Sequence, residues 1–210
     1  MDGLACGPSP GEDAVLRIAQ EPEADALLDR DPFALLVGML LDQQFPMERA
    51  FAAPAGLARR LGVDPAHGRL DPAAVAAHDP EAFAALFAGP PALHRYPGAM
   101  AGRTQALAAL VVERYGGDAA ALWSDAPDGA TLLRRVAALP GFGRQKAQIF
   151  VALLGKQRGV TPPGWREAAG PYGEDGSSRS VADVVDADSL ARVRATKQAA
   201  KAEAKARSVR

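Results

Sequence analysis

The chain of 210 residues and 21.8 kDa is long enough for one domain, or two small ones, with a real core. Its 48% hydrophobic and 23% charged residues exclude wholesale disorder, and no apolar run approaches the roughly 20 residues of a membrane span. A single cysteine, Cys6, excludes an internal disulfide and any multi-cysteine metal or iron–sulfur site.

The expected protein is all-α, rich in alanine, cytoplasmic and monomeric. Aromatics make up only 6% of the chain, so close helix packing on small side chains is favoured. The first eleven residues are rich in Gly and Pro and read as a loose terminus. A helix is expected over 12–29. A stronger one begins at Asp31-Pro32, where Asp31 can cap and Pro32 suits the first turn. Its apolar stripe runs Phe33, Leu36, Val37, Leu40 and Leu41, and the next position on it is Gln44. Phe45-Pro46 then breaks the helix, and Met47–Leu61 reads as another. Pro and Gly divide 62–102 into short helices and turns.

Thr104–Tyr115 is amphipathic on Leu107, Leu110 and Val111 and ends at Gly116-Gly117. Asp128 or Thr131 can cap a helix running to Leu139. A tight hairpin follows, Leu139-Pro140-Gly141-Phe142-Gly143, and then a helix from about Arg144 to Lys156. Residues 159–186 read as an irregular Gly/Pro-rich loop, and 187–210 as a basic helix capped by Ser189. No strand pattern is evident.

The net charge of −1 hides a segregation. Residues 1–90 carry 6 basic and 14 acidic side chains. From Gly129 to Arg166 there are seven basic residues and no acid, and the last 19 residues hold seven more against Glu203 alone. Such blocks suit a polyanionic partner, although either one alone is equally well a solvated helix face.

The stretch LPGFGRQKA (139–147) carries the chemistry. Glycines permit backbone conformations closed to other residues and let a ligand approach the main chain. The amides opening the next helix favour an anion, and Arg144 and Lys146 add charge there. A phosphodiester fits this surface without any reading of base sequence. A plain helix–turn–helix corner would carry the same bare GxG pattern.

LPGFG between two helices, followed by Ala147 and preceded by Leu-Leu-Asp-Gln-Gln (40–44), resembles the helix-hairpin-helix (HhH-GPD) DNA glycosylase superfamily. The likeness extends over 30–158 and includes YPGAMAGRTQALAALVVERYGG. It implies two helical subdomains with a cleft that receives a flipped damaged base. It also implies that Leu139, Gly141, Phe142, Gly143, Arg144 and Lys146 hold a phosphate of double-stranded DNA, often beside a monovalent cation. Gln44 would fill the gap left by the flipped nucleotide, and Gln145 would border the base pocket. Trp165 is a candidate either to stack on the flipped base at that pocket or to anchor its irregular segment in the core.

The family's catalytic aspartate is expected at the position of Pro163, and no carboxylate lies between Asp128 and Glu167. Glu167 and Asp175 are the replacement candidates. Asp42, two residues before Gln44, is expected on another face of its helix. Gln145 stands where bifunctional members have a nucleophilic lysine, so lyase chemistry is not expected. The iron–sulfur cysteines of endonuclease III are absent. The expected function is that of a monofunctional glycosylase in base-excision repair acting on an alkylated base. The alternative is a lesion-binding module without chemistry.

Overall fold

The computed structural model describes residues 16–208, and every element among them is helical. The first eleven residues, and the start of the helix expected over 12–29, lie outside them. Helix α1 spans Pro22–Arg30, and not the earlier start expected, because Pro22 sets its first turn and residues 16–21 run irregularly into it. Helix α2 is Pro32–Leu41 and α3 is Met47–Arg60. Two short helices follow, α4 (Pro72–Ala77) and α5 (Pro80–Ala88), then the long α6 (Pro97–Tyr115), which closes on Gly116 at φ 60°. The second half holds α7 (Ala121–Ser124), α8 (Gly129–Ala137), α9 (Arg144–Gln157), α10 (Trp165–Ala169) and α11 (Ala187–Ser208).

These elements pack as two sets, α1–α6 and α7–α11. Apolar α2 is the spine of the first, with all positions from Phe33 to Leu41 buried. It is buried all round, where an isolated surface helix would hide only one stripe. Phe51 of α3 lies against Gly38, where a Cβ would come within 2.8 Å of its ring. Asp31 anchors this spine. One carboxylate oxygen accepts from the N–H groups of Phe33 and Ala34, and the other accepts from Leu70 at 2.7 Å. Asp31→Ala is therefore expected to cost about 2–4 kcal/mol, combining a lost helix cap with a buried N–H left unpaired. A urea midpoint unchanged from the parent protein would refute this.

In the second set, α9 is the centre, with Phe150, Val151, Leu153 and Leu154 fully buried. Residues 159–186, expected as an irregular loop, hold one short helix and two 3-10 turns between irregular stretches. Trp165 starts α10 and lays its ring on Gly155 of α9, and α10 packs on both α8 and α9. Lys156 reaches across to Asp183 at 2.7 Å and ties the 3-10 turn 181–183 to the same helix, and a second 3-10 turn, 170–172, packs on that helix as well. The cap of α11 is Asp186, whose carboxylate accepts from the Ser189 N–H at 2.6 Å. Ser189 sits inside the first turn and bonds back to the N–H of Asp186.

The two sets meet along α2. Leu40 lies so close to Gly141 that a Cβ there would be 2.6 Å from its Cδ1. Arg158 pairs with Asp29 at the other end of the seam. No described helix is long and apolar enough to cross a membrane.

Candidate nucleic-acid interface

The 139–143 hairpin is built inside out. Leu139 and Phe142 are buried, and the Phe142 ring stands edge-on to Phe150 at 6.1 Å between centroids. Gly141 adopts φ 79° directly over Leu40, a position that only glycine fills without strain or clash. Leu139 and Phe142 therefore anchor the turn and do not themselves face a ligand. Gly141, Gly143, Arg144 and Gln145 form its exposed surface. The first-turn N–H groups of Arg144, Gln145 and Lys146 have no partner among the described residues, nor does the Arg144 guanidinium. Here is an outward-facing helix N-terminus with a free cation beside it.

Lys146 does not join that surface. Its ammonium turns inward and donates to the carbonyl oxygens of Met39 at 2.7 Å and Leu40 at 2.9 Å. Those are the last-turn carbonyls of α2, which carry the negative end of the helix dipole. Burial pushes the lysine pKa down to about 8, with Asp42 holding it up and Arg103 pressing it lower. Lys146 is thus a clamp between α9 and α2 and lacks the outward orientation expected of it; the exposed cation of this turn is Arg144.

Beyond this clamp the chain turns. Helix α2 ends at Leu41, so Gln44 does not extend its stripe. Gln44 is exposed on the α2–α3 turn at φ 52°, in the left-handed region that a non-glycine side chain seldom adopts. Its neighbours hold it there. The Gln43 side chain donates to the Leu40 carbonyl and accepts from Arg103 at 3.1 Å. Buried His94 donates through Nε2 to the Gln43 carbonyl at 3.0 Å, while its Nδ1 accepts from the Tyr96 N–H. Desolvation lowers the His94 pKa, and the nearby Lys146 and Arg103 charges act in the same direction, so the ring is neutral at pH 7. The hydrogen bonds around Gln43 thus fix the turn on which Gln44 stands exposed.

The hairpin and the turn that carries Gln44 therefore lie at the same end of α2. The other expected site residues are placed otherwise. Trp165 is buried between Gly155 and the Arg166 guanidinium, 4.5 Å from its ring centroid, and is not open to a base. Gln145 lies on the surface and donates to the Tyr172 hydroxyl at 2.8 Å. Asp175 is exposed and paired with Arg166, and Glu167 is exposed in the first turn of α10. Neither carboxylate hydrogen-bonds to the hairpin or to Gln44.

The carboxylate that does stand here is Asp42. It is the C-cap of α2, with its side chain 15% exposed, and it lies within the field of Lys146 and 3.9 Å from Lys197 of α11. Asp42 does not take the other helix face expected of it, because α2 has already ended at Leu41. Arg194 of α11 likewise pairs with Glu48, so the start of the basic helix neutralises acids beside the Gln44 turn. Residues 197–207 are exposed throughout.

Comparison with protein-family models, with curated proteins and with solved structures returns no match for this chain.

Proposed function

We propose that this protein grips duplex DNA through the 139–143 hairpin and tests the base stack with Gln44, in the manner of a monofunctional base-excision glycosylase. The observation carrying this reading is the seating of the hairpin on the end of α2, which sets a free helix N-terminus at the same end of α2 as a strained, exposed glutamine. The first feature suits a phosphate and the second suits insertion between bases. The exposed basic turns of α11 beyond Lys197 add sequence-independent attraction.

Asp42 is the carboxylate best placed to stabilise positive charge developing on a sugar as its base departs. An alkylated base suits such a site, because its glycosidic bond is already weakened by charge. A second reading, binding without chemistry, is favoured by Pro163, whose carbonyl accepts from the Gly129 N–H where the family's aspartate is expected.

A single-turnover base-release assay separates the two. Excess protein is incubated with duplexes that each carry one methylated, deaminated or oxidised base, then treated with alkali. The expected result is strand cleavage on an alkylated duplex, lost in Asp42→Asn and retained in Glu167→Gln and Asp175→Asn. Tight binding without release on any duplex would leave the non-catalytic module.

A further inference from the structure

Two clefts share Phe45, Arg49 and Ala92 and so form one groove between α3 and the 89–96 segment. The part beside Gln44 has a volume of about 600 Å³ and is bounded by His94 and Arg95. The part farther along α3, about 340 Å³, has a floor of Ala53, Gly56 and Leu93. Both volumes fall within the range of small-ligand sites, roughly 300–1,000 Å³.

Two guanidinium–aromatic pairs flank this groove. Arg49 lies over the Phe45 ring at 4.8 Å, and Arg95 over the Tyr96 ring at 5.4 Å. Neither guanidinium has a hydrogen bond or ion pair with any described residue. Tyr96 is 44% exposed, one of three large hydrophobic side chains so exposed among the described residues. No carboxylate lines the part beside Gln44, and His94 there is buried, with Nδ1 accepting from the Tyr96 N–H. At the far end Arg59 is engaged by Glu23, and Arg60 by the carbonyls of Leu86 and Pro91, so Arg49 and Arg95 are the available cations of the groove.

We propose that this groove binds single-stranded nucleic acid, with unstacked bases against the Phe45–Arg49 and Tyr96–Arg95 planes and phosphates on the two guanidinium edges. Paired bases in a duplex cannot enter a groove to reach such planes, whereas unpaired bases stack on aromatic rings and on arginine without regard to sequence. An acidic peptide would use the two charges and leave the two planes idle. The groove begins at Gln44, so a strand loosened there would be led into it. That continuity rests on the proposed role of Gln44, but single-strand binding does not.

The test is fluorescence anisotropy with a labelled short oligothymidylate and, separately, a labelled duplex. Arg49→Ala combined with Arg95→Ala is expected to weaken oligothymidylate binding by roughly a hundredfold or more, and Tyr96→Ala alone by about tenfold. Gly143→Asp leaves oligothymidylate binding intact while weakening the duplex, so failure at the hairpin and failure at the groove give different patterns. Arg95→Lys, which keeps the charge and loses the plane, should fall between the parent and Arg95→Ala. Oligothymidylate affinity unchanged in the double variant, or equally effective competition by polyglutamate, would overturn the assignment.

Discussion

Gly143→Asp is expected to lower duplex affinity by about a hundredfold while leaving the protein as stable as before, or slightly more so. The two halves of that expectation come from the same residue. Gly143 is the N-cap of α9 at φ −75° and ψ 171°, an extended conformation open to any residue. A Cβ built there meets nothing within 4 Å. Aspartate is among the best N-cap residues, and its carboxylate would accept from the otherwise free first-turn amides. The fold therefore gains a cap. A phosphate would find those donors occupied and a like charge beside it, together worth about 2.7 kcal/mol for a hundredfold loss, within the range of a close like-charge pair near a protein surface screened by salt. The salt dependence should also flatten, its slope falling by roughly one as one phosphate contact is lost. Melting temperature and duplex affinity must be measured together. Equal affinity in a well-folded variant would remove the hairpin from the interface and the proposed function with it.

Much of this site was legible where the cause was local. The Asp31 cap, the end of α6 at Gly116 and the hairpin before α9 each rest on residues within a few positions of the feature, and each stands where the sequence puts it. Features with distant causes were not legible. Gln44 was placed by extending the stripe of α2, yet α2 stops at Leu41, where Lys146 from over a hundred residues away caps its carbonyls. Once the helix ends, Asp42 comes into play and the turn carrying Gln44 is fixed through Gln43 by His94 and Arg103, and of these only Gln43 stood within a motif of the sequence. The only cue to that cluster was three polar residues in a row at 42–44, after an apolar helix. Of the two roles open to Trp165, stacking on a base and anchoring the core, the structure bears out the second. A glycine-rich segment reads as loose, but Gly155 on the facing helix makes the slot that its indole fills.

Lys146→Met should abolish a rise in stability that the parent protein shows between pH 8 and about 10.5. The ammonium of Lys146 is mostly buried, and its pKa in the folded chain is lowered from 10.5 to about 8. Between these values the unfolded chain binds a proton that the folded chain does not. Folding therefore releases a proton, and stability climbs as the pH rises through that window. The shift corresponds to at most about 3 kcal/mol. Below pH 8 the folded protein carries the full cost of a buried ammonium, offset in part by its two carbonyl acceptors. Methionine fills a similar volume without charge, so the variant loses both the cost and the slope. Other lysines titrate in both proteins and cancel in the comparison. Urea midpoints taken below pH 8 and near pH 10 read the effect as a change in the gap between parent and variant. The gap must widen in favour of the parent at the higher pH. A constant gap would mean that the ammonium is solvated, and then Lys146 would be free to join Arg144 at the phosphate surface instead of clamping α9 to α2.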